Sequence, residues 1–261
     1  MRFNLLGQLQ VHDEGRILTP QAHKLRVLLA ALLVHHHTVL SIDVLIDELW
    51  PQGPPRTALQ ALRVYISQLR KIVHGGSSRG ELALVSEPPG YYLAVGEGML
   101  DLAEFDRHRA CARAAREEQD HRAALQHYRA AARLWRSVPL ADLREGTLLK
   151  GAASRLEEAW MTAQEERLSL ELRHGTRRGE VIAELRELVV RHPFNEHLHA
   201  LLMIGLFLSG RSGDALQVYR TTRKYLIDEL GIEPGDEIRA VHQLVLDSDR
   251  SALRAVGMWT A

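Results

Sequence analysis

The sequence predicts a mainly α protein with a small β content, built in two parts. Three observations predict it. Strand-like runs occur only within the first 96 residues, where they bracket three helical segments. Past Gly98 the apolar pattern is helical throughout. Within that second part, Gly179-Glu180-Val181-Ile182-Ala183-Glu184-Leu185 and Gly213-Asp214-Ala215-Leu216-Gln217-Val218-Tyr219 begin 34 residues apart. That period is the one at which stacked helix pairs repeat.

In order along the chain, Phe3–Val11 is strand-like and His12-Asp13-Glu14-Gly15 is a turn signal. Arg16-Ile17-Leu18 is a short second strand. Thr19 then Pro20 read as an N-cap with proline at the first helical position. Leu25, Leu28, Leu29, Leu32 and Leu33 make that helix amphipathic. Ser41 caps a second helix carrying Val44, Leu45 and Leu49 on one side, and Trp50-Pro51-Gln52-Gly53-Pro54-Pro55 stops it. A third helix starts near Arg56, with Leu62, Ile66, Leu69 and Val73 as its apolar stripe. Gly75–Gly80 is a break. Leu82–Ser86 and Tyr91–Val95 then form a hairpin around Glu87-Pro88-Pro89-Gly90. Sheet, three helices, hairpin is the order of a winged helix-turn-helix, so residues 1–96 are assigned to it.

Residues 97–261 are assigned to an all-α, tetratricopeptide-like helical domain. Leu102 and Phe105 open it, Ala123–Trp135 continues it, and a long helix covers roughly Leu148–Arg173. Asp120–Tyr128 is of the same type as the two repeats, and His192-Pro193-Phe194-Asn195-Glu196 reads as the turn between units. The tail from about Ser248 has little pattern. Trp135, Trp160 and Tyr219 read as core, and Cys111 as a small buried residue.

Lys and Arg total 33 against 33 Asp and Glu, so net charge excludes nothing by itself. Its distribution is informative. The segment Arg56–His74 holds Arg56, Arg63, Arg70 and Lys71 and no acid, a local basic face of the kind that meets a phosphate backbone. A single cysteine forbids an intrachain disulfide and fits a reducing cytoplasm. No apolar run reaches the ~18 residues a membrane span needs, and the N-terminus lacks the features of a signal peptide. Adjacent His35-His36-His37 point in different directions and suit a helix C-terminus better than a metal. No phosphate loop, nucleophile elbow, His-Glu-x-x-His or paired-Cys site occurs, so neither enzyme chemistry, a cofactor nor a metal is expected.

Leu5-Leu6-Gly7, Leu45–Pro51, Leu62–Lys71 and Pro88-Pro89-Gly90-Tyr91-Tyr92-Leu93, with Tyr128–Trp135, Leu140–Leu143 and Leu216–Gly235, resemble the Streptomyces antibiotic regulatory protein family. That family joins an OmpR-type winged helix to a bacterial transcriptional activator domain, and this chain resembles its short form. The resemblance implies an activator of secondary-metabolite gene clusters in the bacterial cytoplasm, at the nucleoid. It also implies binding to promoter direct repeats as side-by-side protomers, a homodimer on DNA, and recruitment of RNA polymerase holoenzyme. Control through a receiver domain is not expected. Relatives often carry a basic residue after the Gly-Tyr pair of the wing, where this chain has Tyr92, so no charged wing contact is carried over.

The third helix is expected to enter the major groove, where base edges are distinguishable. Arg63 is placed for a bidentate guanine contact, and Gln60 and Gln68 for adenine. Arg56, Arg70 and Lys71 are placed for phosphates. Thr57 and Ser67 suit either role. Val64 shares their face, and Tyr92 is the candidate from the wing. Two alternatives stand beside this reading: a helical-repeat adaptor that binds protein, and a DNA-binding repressor.

Overall fold

The computed structural model describes residues 1–75, 82–175 and 177–248. The break expected over 75–80 lies, apart from Gly75, outside them, as does the tail after Ser248. The chain divides into two compact units. Met1–Ala114 and Gln126–Met161 make the first, and Ala115–Leu125 with residues from Thr162 onward make the second.

In the first unit, β1 (Arg2–Asn4), β2 (Gln10–Asp13) and β3 (Arg16–Ile17) form an antiparallel sheet in that order. The single strand expected over Phe3–Val11 is broken in two. Leu5 and Leu6 are consecutive and both fully buried, which strand alternation does not allow. Their N–H groups instead donate to the buried Asp101 carboxylate, at 2.7 and 2.9 Å from Leu5 and 3.0 Å from Leu6. Gly7 then turns the chain at φ 147°, in space where a Cβ would come within 3.1 Å of Ser137 Oγ.

Thr19 is not a helix cap. Its Oγ1 accepts from Val11 N at 2.9 Å and so stitches the sheet. Helix α1 (His23–Val34) begins after Ala22 with no side-chain cap. It is buried on all sides from Val27 to Leu33 rather than along one stripe, so it is the central helix of the unit. The histidines that follow sit at its C-terminus, where His36 Nδ1 lies 3.0 Å from Leu33 O and His37 Nε2 3.0 Å from Val95 O.

After β4 (Leu40–Ser41), Ser41 Oγ caps α2 (Ile42–Leu49) by accepting from Val44 N. Leu45 and Leu49 are buried as expected, but Val44 is 40% exposed, and the third buried residue of that face is Glu48. Helix α3 (Ala58–Gly75) buries Leu62, Ile66, Leu69 and Val73, the stripe read from the sequence. Strands β5 (Ala83–Glu87) and β6 (Gly90–Ala94) form the hairpin, and β4 joins β6 on its other side. Gly90 is obligatory there, because a Cβ would fall 1.8 Å from Leu40 O.

Helices α4 (Asp101–Glu117), α5 (His121–Leu134) and α6 (Thr147–His174) follow. Within the first unit, Phe105, Trp135 and Trp160 form a chain of rings, with centroids 5.5 and 5.7 Å apart. Both tryptophans are half-buried, as is Cys111. The start of α6 is capped from the winged helix: the Glu48 carboxylate accepts from Leu148 N at 2.8 Å and Leu149 N at 3.1 Å. Gly146 makes room, since a Cβ there would lie 2.3 Å from that carboxylate.

The second unit contains α7 (Arg178–Arg191), α8 (Glu196–Leu208), α9 (Ser212–Leu230) and α10 (Asp236–Leu246). The 34-residue spacing noted above relates the starts of α7 and α9. Helix α8 is buried from Ala200 to Phe207 between its neighbours, as the middle element of a stack of helix pairs must be. Asn195 caps it by accepting from Leu198 N at 3.2 Å, and Gly231 closes α9 in the left-handed conformation. Tyr219 is half-buried and stacks on His242 at 3.8 Å.

Candidate nucleic-acid interface

The second helix of the helix-turn-helix is presented by three supports. Its apolar stripe packs inward. Trp50, at the end of α2, stacks on Tyr65 of α3 with centroids 6.4 Å apart. Lys24 lies over the Trp50 ring and donates to Leu49 O, which holds the end of α2 in place.

The outward face of α3 is exposed and free of carboxylates. Gln60, Arg63, Val64, Ser67, Gln68 and Lys71 are all exposed on it. Arg56 and Thr57 are exposed too, but in the turn before the helix rather than within it. There they flank the helix N-terminus, whose N–H groups and dipole favour an anion. Among the described residues, Arg56, Arg63 and Lys71 have neither an ion pair nor a hydrogen bond. An unpaired cation keeps its full charge for a phosphate or a base edge. Val64 is 53% exposed, an apolar group suited to a thymine methyl.

Arg70 differs from the other cations. It is half-buried and turned toward the hairpin, with Nη2 donating to Ser86 Oγ at 2.6 Å and Nε to Leu84 O at 3.4 Å. In the wing, Tyr91 and Tyr92 are both half-buried, and Tyr92 pairs with Val85. The turn Ser86–Pro89 is exposed and carries Glu87.

Sequence reading missed two exposed or linking residues here. Leu59 is 39% exposed beside Gln60, though its type suggested core. Ser86 gave no local signal, because its partner is 16 positions away.

Residues 17–93 match the family described as transcriptional regulatory protein, C terminal, and residues 100–246 match the bacterial transcriptional activator domain. Regulatory protein DnrI of Streptomyces peucetius is 35% identical over 254 residues, covering 95% of this chain and 93% of DnrI. Transcriptional regulatory protein EmbR of Mycobacterium tuberculosis is 35% identical over 248 residues, 94% of this chain. The chain spans only 63% of EmbR's own length. The solved structure of Mycobacterium tuberculosis EmbR in complex with a low-affinity phosphopeptide superposes with a TM-score of 0.88 at 33% identity, over 98% of this chain and 69% of that one. No helix among the described residues is long and apolar enough to cross a membrane. With both family matches in order and DnrI covered almost end to end, the chain belongs to the Streptomyces antibiotic regulatory proteins, transcriptional regulators that join an OmpR-type winged helix to a bacterial transcriptional activator domain.

Proposed function

We propose that this protein is a sequence-specific DNA-binding transcription activator of an antibiotic or other secondary-metabolite gene cluster. The observation that carries the reading is the outward face of α3, exposed and acid-free, where Arg63 and Lys71, with Arg56 in the turn before the helix, have no ion pair or hydrogen bond among the described residues. On this reading residues 1–96 bind DNA and residues 97–261 engage protein. Arg63 makes the bidentate guanine contact, while Gln60 and Gln68 read adenines. Arg56 and Lys71 grip phosphates, Thr57 and Ser67 assist at either, and Val64 and Tyr92 complete the contact. Promoter direct repeats are the target, with two protomers side by side on DNA and RNA polymerase holoenzyme as the recruited partner. The protein acts at the nucleoid in the cytoplasm, by binding rather than by chemistry.

A candidate surface for protein contact is an open cavity of about 420 Å³ in the second unit, lined by Val189, Val190, Leu202 and Val218 and by polar residues that include Arg186 and Asp214.

The test is quantitative binding of the purified chain to duplexes from the promoters of its neighbouring biosynthetic genes, matched and scrambled, over a range of salt. Arg63→Ala is expected to lose roughly 1–3 kcal/mol on the matched site and to relax specificity. Lys71→Ala is expected to weaken both duplexes equally and to lower the salt slope by about one. Equal losses on both duplexes for both variants overturn that division. No binding at any salt favours a protein adaptor.

A further inference from the structure

Four cations stand on or beside α3, and three of them are alike. Arg56, Arg63 and Lys71 are exposed and unpaired among the described residues, whereas Arg70 leans into the molecule. Its guanidinium bridges two positions on β5, the Ser86 hydroxyl at 2.6 Å through Nη2 and the Leu84 carbonyl at 3.4 Å through Nε. Strand β5 leads directly into the exposed turn of the wing.

A guanidinium grips a phosphate or a guanine through two parallel N–H groups. The edge formed by Nε and Nη2 is turned onto β5, where Leu84 and Ser86 accept from it, and the half-buried side chain leans toward the hairpin rather than outward with its neighbours. The geometry points to a positioning role: Arg70 is a strut between the reading helix and the wing, and DNA contact falls to its neighbours. By fixing where Ser86 stands relative to α3, it sets how far the wing turn reaches when the helix is in the groove. This inference rests on the DNA-binding reading above and gives Arg70 a positioning role in place of the phosphate contact expected from the sequence.

The two roles separate by charge and by partner. A phosphate contact needs the charge of Arg70 and is indifferent to Ser86. A strut needs the fork and the hydroxyl, and a single ammonium cannot span both acceptors. The experiment compares Arg70→Ala, Arg70→Lys, Ser86→Ala and Ser86→Thr in the full chain, on the matched duplex across a salt series, with melting temperature as the folding control. Expected is a loss of about five- to tenfold for Arg70→Ala, Arg70→Lys and Ser86→Ala alike, the scale of one weak charge-assisted hydrogen bond. Ser86→Thr, which keeps the hydroxyl, restores wild-type binding. Arg70→Ala combined with Ser86→Ala is no worse than either alone, and the salt slope stays at the wild-type value in all of them. Wild-type affinity in Arg70→Lys and Ser86→Ala, with a slope lower by about one in Arg70→Ala, overturns the strut and restores a phosphate contact. Failure of the wild type to prefer the matched duplex overturns the DNA-binding reading itself and this inference with it.

Discussion

Replacing Glu48 by alanine tests the most unusual contact in the first unit. Glu48 is 3% exposed, and its two oxygens accept the backbone N–H groups of Leu148 and Leu149 at the start of α6. Removing the carboxylate leaves two donors without acceptors, one of them on the fully buried Leu149. Each such donor costs about 1–3 kcal/mol. Loss of a negative charge at a helix N-terminus adds roughly 0.3–1 kcal/mol. Relief from burying a carboxylate works the other way. The net is a destabilisation of about 2–4 kcal/mol, which in a chain of this size lowers the melting temperature by about 5–15 °C. Glu48→Gln keeps one acceptor oxygen and should lose about half of that. Calorimetry on the three proteins measures it. Gly146→Ala supplies the decisive comparison, because its Cβ would stand 2.3 Å from the same carboxylate and must expel it. Glu48→Ala and Gly146→Ala should therefore be strongly non-additive, the double variant being little worse than either single one. Additive losses, or a Glu48→Ala protein that melts within about a degree of wild type, would refute the capping account.

Gly90→Ala should destroy the wing, since a Cβ 1.8 Å from Leu40 O cannot coexist with the β4–β6 pairing; a variant that melts like wild type and keeps full DNA affinity contradicts this. Arg167 is buried with Gln164, Glu171 and Glu184 as partners. Arg167→Met should cost about 3–5 kcal/mol in denaturant unfolding by removing the buried cation that Gln164, Glu171 and Glu184 share, and a change under about 1 kcal/mol speaks against it. Burial foremost lowers the pKa of His199, so its contribution to stability is full above the ordinary value of 6.5 and is lost as pH falls below it. His199→Gln should flatten the melting profile on the acid side of 6.5, and an unchanged profile there refutes the assignment. His197 has the opposite sign: burial disfavours its charge, but the bond from Nδ1 to Glu237 and the nearby Glu165 and Glu166 outweigh it and raise the pKa. Its contribution is full below 6.5 and fades as pH rises through the raised value, so His197→Gln should lose stability mainly at and below 6.5.

Local pattern carried much of this fold. The stripe of α3, the Ser41 cap and the hairpin follow from residues near one another in the chain, and the 34-residue spacing from a repeat of similar segments. The failures share one cause. Thr19 has the chemistry of a cap, but Val11 N on the neighbouring strand claims its hydroxyl. Phe3–Val11 alternates well enough to read as one strand, but Asp101 offers the backbone of Leu5 and Leu6 a better partner from far along the chain. The turn of Arg70 toward the hairpin is likewise not visible on a helical wheel, where it looks like its neighbours. Each is a polar group whose partner stands on a different element, which period and propensity within one element do not register.

Such partners are not wholly invisible, and Glu48 indicates where to look. Helical spacing from Leu45 puts positions 48 and 49 on the buried face and leaves Asp47 outside. A carboxylate on an apolar face must find donors, and α2 has none to spare there. The candidates are then backbone N–H groups at a helix start, which come in sets, tolerate a buried acceptor and reward negative charge. Thr147 follows a glycine at the start of the longest helix in the chain, and glycine is what a close carboxylate requires. The same logic leads from Asp101, an acid set between buried leucines, to the irregular Leu5-Leu6-Gly7. Both acids therefore join the winged helix to helices that the sequence assigns to the other domain. Helix α2 is thus held by the start of α6 as well as by its own core, and because α2 packs against α3, a change at Glu48 is expected to register in DNA affinity as well as in stability.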